Sequence, residues 1–99
     1  MIVVDPLFST APFTNASTPR CFRNTRAAHM MSTSPGDKGF RELVSFARRL
    51  GLKPSWIQYP GTRRQHLDLT EGKRRLAVAL GAGEVSRGWQ LGDPIDIED

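Results

Sequence analysis

The chain has 99 residues, enough for one domain and too few for two, and 38% of them are apolar, which limits it to a small core. Its formal net charge is +4, and no run of about eighteen apolar residues is present, which excludes a membrane-spanning helix. The single cysteine, Cys21, excludes an internal disulfide and a Cys-x-x-Cys zinc clamp.

In chain order, Ile2-Val3-Val4 is β-branched and apolar and stops at Asp5-Pro6, the pattern of a short buried strand ended by proline. Met1 to Asp5 lacks the basic flank and long apolar stretch of a secretory signal, so a cytoplasmic location is expected and the Asn15-Ala16-Ser17 acceptor pattern carries no glycan. Residues 6–26 hold three prolines among many Ser, Thr and Asn without a period, and are expected to form a long N-terminal loop. Ala27-Ala28-His29-Met30-Met31 is expected to be a second short strand, and Ser32 to Asp37 is turn chemistry leading into a helix.

Phe40, Leu43, Val44, Ala47 and Leu50 recur at helical spacing as one apolar stripe, and Gly51 stands where a helix ends. Ser55 to Tyr59 is β-rich and closed by Pro60-Gly61, which predicts a strand with Trp56 in the core. Residues 60–69 read as a polar loop. Thr70 suits the cap of a second helix, with Glu71 at its positive end, Leu76, Ala77 and Leu80 on its apolar face and Gly81 as its stop. Glu84-Val85-Ser86 is the candidate last strand, and the acidic stretch beyond Gly88 reads as a tail.

This order predicts an α/β fold: a small, mostly parallel sheet of three to four strands, two main helices and a long N-terminal loop. One domain is expected over 1–90 and an acidic, loosely held tail over 91–99, its start fastened by Trp89 and Leu91. The expected core is Leu43, Ala47, Leu50, Trp56 and Leu80. Ligands of a parallel sheet bind beyond the carboxyl ends of its strands, which predicts that Asp5, His29, His66 and Asp68 share one edge.

The charge is uneven: residues 20–87 carry all fourteen Lys and Arg against five acids, and residues 93–99 carry four acids. A basic body suits an anionic partner, and it suits equally a solvated face partly covered by the chain's own tail. Guanidinium groups hold phosphate through paired hydrogen bonds, so Arg63, Arg64, Lys73 and Arg74 are candidate ligand-binding residues. Gly81-Ala82-Gly83 follows a helix rather than opening one and is no dinucleotide fingerprint.

The two histidines are His29 and His66. In His66-Leu67-Asp68 an extended backbone points side chains two apart the same way, so imidazole and carboxylate can face one ligand. Such a pair binds Zn, Mn or Fe, or serves as a base and its orienter. His66 and Asp68 are therefore candidate metal ligands, and a divalent metal is the candidate cofactor. Asp5 and His29 complete a set, Asp5, His29, His66 and Asp68, that is catalytic if the chain is an enzyme. The structural alternative makes Asp68 a cap of the second helix and His66 a surface residue.

Val3-Val4-Asp5, His29-Met30-Met31, Glu42-Leu43-x-x-Phe46-Ala47-x-x-Leu50-Gly51-Leu52, Trp56-Ile57-Gln58, His66-Leu67-Asp68-Leu69, Lys73-Arg74 and Gly81-Ala82-Gly83-Glu84-Val85 follow in order along the chain. In that order and spacing the sequence resembles a family of short bacterial and phage proteins known as a domain of unknown function. Where that family has a second acid after Asp5 this chain has Pro6, and where it often has a histidine in the first helix this chain has Val44. The resemblance implies no established activity.

Three functions stay open. The leading one is a binding module for a phosphate-bearing ligand or nucleic acid, acting through a basic surface at the strand ends. The first alternative is a small metal-dependent hydrolase or nuclease. The second is a phage-encoded inhibitor that blocks a host nucleic-acid-binding complex by contact. No membrane partner is expected.

Overall fold

The structure is a computed structural model and describes residues 1–95. Its strands are β1 (Ile2–Val4), β2 (Phe8–Ser9), β3 (Arg26–Ser32), β4 (Leu67–Thr70) and β5 (Gly83–Glu84), and its helices are α1 (Gly36–Arg49) and α2 (Glu71–Ala79). The fold is α/β with two helices, as the sequence predicts, but the five-stranded sheet is mixed rather than mostly parallel. Only β1 and β5 pair in parallel, while β3 pairs antiparallel with β1, β2 and β4. The reason lies in the connections. No α-helix separates β1, β2 and β3, and strands joined without a crossover pair antiparallel, while β4 runs antiparallel to β3 although α1 lies between them.

β3 is the central strand. Met30 faces Val4 on one side and Leu67 on the other, and Ala27 faces Phe8 and Thr70. β1 and β2 therefore share one edge of β3, and β4 takes the other. The strand expected at 55–59 is absent: Pro54–Trp56 form a 3-10 turn, after which Gln58 makes an isolated antiparallel bridge to His66. The strand in this region is instead β4, inside the stretch the sequence assigns to a polar loop, where the apolar partners Leu67 and Leu69 alternate with Asp68 and Thr70. The long N-terminal loop expected over residues 6–26 is broken by short regular elements. It contains β2 and two 3-10 turns, and Thr10 both donates to the Thr25 carbonyl and accepts from the Thr25 amide.

Alternation along the strands divides the sheet into two faces. Ile2, Val4, Met30, Leu67 and Leu69 pack with Leu43, Phe46, Ala47 and Leu50 of α1 and with Ala77 of α2. Val3, Val85 and Trp89 form a smaller cluster with Met31 beside it. Asp5, Ala27, His29, Asp68 and Thr70 follow the period of this second face. Leu43, Ala47 and Leu50 are buried as expected. Leu80 is half-buried against the core, and Trp56 is 52% exposed, because the 3-10 turn holds it outside the sheet. Thr70 caps α2, accepting the Lys73 amide at 3.2 Å. Gly39 is required where α1 starts: a Cβ there would stand 1.9 Å from the Ser34 carbonyl oxygen.

No helix among the described residues is long and apolar enough to cross a membrane. Trp89 is buried and its indole donates to the Pro94 carbonyl at 3.0 Å. Of the tail expected over 91–99, residues 96–99 lie outside the described residues.

Candidate metal centre

The four residues singled out in the sequence meet on the sheet face that the helices leave open. The carboxyl-end rule for parallel sheets does not explain this, because the sheet is mixed. Strand register does. His29 lies directly opposite Asp68 across the β3–β4 pair, and Asp5, one residue past β1, extends the ladder by donating its amide to the His29 carbonyl at 3.1 Å. His66 precedes β4 by one residue, and its double hydrogen bond with the Gln58 backbone fixes it, at 2.8 and 3.2 Å.

Each imidazole is tied at Nδ1. Asp5 accepts the His29 backbone amide on Oδ1 at 2.6 Å and faces His29 Nδ1 with Oδ2 at 2.7 Å. His66 Nδ1 lies 2.5 Å from the Arg64 carbonyl oxygen. A carbonyl only accepts, so His66 Nδ1 carries the proton, and a carboxylate beside His29 Nδ1 selects the same tautomer there. Both Nε2 atoms are then free to donate a lone pair. They point at the same atom: Asp68 Oδ1 is 3.8 Å from His29 Nε2 and 3.5 Å from His66 Nε2. Gln58 Nε2 donates to the other Asp68 oxygen at 2.5 Å and so orients the carboxylate.

His29, His66 and Asp68 each offer one ligand atom, all within 4.8 Å of one another. Around a tetrahedral ion with bonds of about 2.0–2.2 Å, ligand atoms sit roughly 3.3–3.6 Å apart, so closure of the set requires small side-chain movements. Two imidazoles and one carboxylate, with the outward side open, is a donor set of catalytic zinc and non-haem iron sites. Hydrogen bonds from the Nδ1 atoms to a carboxylate and a carbonyl are the outer contacts that such histidines use. Thr70, not Asp68, caps α2, and the His66 side chain is 16% exposed.

The basic candidates divide. Lys73 donates from Nζ to the Leu50 carbonyl at 2.7 Å, and Arg74 donates from Nε to the Asp5 carbonyl at 2.8 Å and pairs with Glu84 at 3.0 Å. Arg74 thus holds the residue that holds His29. Arg63 and Arg64 are exposed and line the groove that contains the cluster, Arg63 donating from Nε to the Leu91 carbonyl at 3.2 Å and the Arg64 guanidinium lying 4.8 Å from the Tyr59 ring centre. Sequence reasoning missed two participants. Phe8 stacks on His29 with centroids 5.0 Å apart, and Gln58 binds Asp68. Phe8 belongs to a short Leu-Phe pair inside a polar stretch, a weak strand signal, and Gln58, though part of the Trp56-Ile57-Gln58 motif, carries no sign in the sequence that it binds Asp68.

A family model described as "Protein of unknown function (DUF4031)" matches residues 15–92. The chain belongs to the DUF4031 family. No curated protein and no solved structure matches it. The part of this DUF4031 chain matched by the family model includes His29, Gln58, Arg63, Arg64, His66 and Asp68, while Asp5 and Phe8 precede it.

Charge completes the picture of the DUF4031 site. Burial works against a charged His66, but the Asp68 hydrogen bond, the Arg64 carbonyl and the charges of Asp68 and Asp5 outweigh it and raise its pKa above 6.5. Burial likewise works against a charged Asp68, and is outweighed by the hydrogen bond and charge of His66, by Gln58 and by the charge of His29, which lower its pKa below 3.8. In metal-free protein the raised His66 contributes stability that is fully present below pH 6.5 and is lost as pH rises through its folded value. The lowered Asp68 contributes stability that is present above pH 3.8 and is lost as pH falls through its folded value. Thermal melts in chelator should therefore show His66→Ala costing most between about pH 5 and 6 and progressively less above about pH 7. A cost that does not change with pH contradicts this linkage.

Proposed function

We propose that this chain uses a divalent transition-metal cation, held by Nε2 of His29, Nε2 of His66 and Asp68 Oδ1, to hydrolyse a phosphate-bearing substrate in the cytoplasm. One observation carries the reading: two imidazoles with Nδ1 already engaged direct their free nitrogens at a single carboxylate oxygen on an open face. Imidazole donors favour zinc, manganese or iron over calcium and magnesium. A cation so placed lowers the pKa of a bound water and polarises a phosphoryl oxygen. The water, giving one proton to solvent, forms the new P–O bond as the ester P–O bond breaks, and the leaving oxygen takes up a proton.

Asp5 orients His29, Gln58 orients Asp68, and Arg63 and Arg64 supply the charge-assisted contacts that hold the phosphate. The phosphate-binding role expected of the basic surface thus becomes the substrate-holding half of a hydrolase. Contact inhibition of a host complex, the third reading of the sequence, gains nothing from the convergence of these side chains.

Metal analysis after dialysis against zinc or manganese should find one ion per chain. The loaded protein should hydrolyse bis(p-nitrophenyl) phosphate, lose this activity in chelator and regain it when metal is restored. Absence of metal uptake at micromolar concentrations sinks the hydrolytic reading and leaves the chain a binder of phosphate.

A further inference from the structure

We infer that the substrate at this site is a single-stranded polynucleotide, its unpaired bases stacked on Tyr59 and Trp56 and its phosphates on the cations beside them. This inference rests on the hydrolytic reading above and names its substrate class.

Three aromatic rings lie largely outside the hydrophobic core. Phe13 is 68% exposed, Trp56 52% and Tyr59 50%, and all three line the groove that contains His29, His66 and Asp68. Scattered exposed aromatics need no explanation, but three gathered along one groove do. Trp56 and Tyr59 also carry cations over their faces, with Lys53 Nζ 5.7 Å from the Trp56 ring centre and Arg64 4.8 Å from that of Tyr59. A flat ring beside a mobile cation is how proteins hold single strands, the ring taking a base and the cation its phosphate.

Charge complementarity points the same way. Arg63, Arg64, Lys73 and Arg87 line the groove, and its only carboxylates among the described residues are Asp5 and Asp68, both engaged with the histidines. Tyr59 is held in the left-handed region at φ 50°, a costly conformation for a residue with a side chain, and its carbonyl accepts both the Thr62 amide and hydroxyl. That turn sets the Tyr59 ring 6.0 Å from the His66 ring, centre to centre. A base stacked there brings its own phosphate to the metal ligands. A duplex hides its base faces and offers mainly phosphate, which leaves these rings unused.

The test uses metal-free protein kept in chelator, so that no strand is cut, with labelled oligo-dT, oligo-U and a mixed-sequence duplex of about 12 residues as probes. Anisotropy titrations should show a single strand binding at least about 10-fold more tightly than the duplex, with affinity falling as salt rises. Preference between the two sugars identifies the nucleic acid, and either result supports the inference. Tyr59→Ala and Trp56→Ala should each weaken single-strand binding by about 5-fold or more while leaving the thermal melt in place. Strand addition should quench the fluorescence of exposed Trp56, and Trp56→Phe should lose the quenching while buried Trp89 still emits. Equal binding of duplex and single strand, or indifference to both alanine substitutions, overturns the inference. Zinc uptake and cleavage of bis(p-nitrophenyl) phosphate are followed on the same preparations. Protein that cleaves the small ester with zinc but binds no single strand loses only the polynucleotide. Protein that binds single strands as described but takes up no metal supports the stacking groove and loses only the hydrolytic reading.

Discussion

His66→Ala should weaken zinc binding by more than about 100-fold, and His29→Ala should do the same. The scale comes from the outer contacts of such sites, whose removal costs about 10–100-fold in affinity. Loss of a ligand itself leaves two donors, and two donors do not hold a transition metal against water. Asp5 provides the graded comparison. Asp5→Asn keeps the size of the side chain, yet an amide can satisfy the backbone N–H and the His29 ring less well than a carboxylate with both oxygens engaged, at 2.6 and 2.7 Å. Its expected cost is the 10–100-fold of an outer contact. Titration of each variant against a zinc chelator measures all three, and circular dichroism confirms that each has folded. Affinity unchanged in His66→Ala removes the metal centre from the molecule. Affinity unchanged in Asp5→Asn alone reduces Asp5 to a backbone clamp.

The second large effect concerns the core. Leu43 is fully buried, on the face of α1 that packs against Val4, Met30 and Leu67 of the sheet. Leu43→Ala should destabilise the chain by about 2–5 kcal/mol, the range for a leucine whose neighbours cannot close the space. The strands below it belong to a hydrogen-bonded sheet, so relaxation is limited and the upper half of the range is expected. For a domain of this size the melting temperature should fall by more than about 10 °C. A melt displaced by less than a few degrees contradicts the packing of α1 on the sheet.

The helices were legible because their signals are local. The stripe from Phe40 to Leu50 and the threonine at position 70 define α1 and α2 without reference to the rest of the chain. Sheet topology was not legible, because direction is set by which strands pair, and pairing is a long-range property. Ser55 to Tyr59 has strong β composition and still forms a 3-10 turn, since Pro54 starts that turn and Leu67–Thr70 takes the place beside β3. β4 lay hidden because four residues of alternating character resemble a loop when they follow Arg-Arg-Gln-His. The cluster itself was half legible. His66 and Asp68 are two apart and announce a common side. The approach of His29 to Asp68 depends on the β3–β4 register, and a slip by one residue would have turned His29 into the core. Asp5 reached the site for a reason the sequence does not carry, the antiparallel return of β3 beside β1. Gln58 stands in the Trp56-Ile57-Gln58 motif, but its partner Asp68 was not legible, because an amide at the end of an aromatic run fits many roles.

β3 has neighbours along both edges, and His29 sits within it, between the extension of β1 and the middle of β4. The donor groups are therefore gathered when the chain folds, and the conformational entropy of bringing them together is already lost before an ion arrives. A ligand reaching this face orders little besides its own water and a few side-chain torsions. A site assembled from the same residues on mobile loops would bind more weakly by the whole free energy of that ordering. Central placement in the sheet thus makes affinity here a property inherited from the stability of the fold, and variants that loosen β3 should loosen the ion with it.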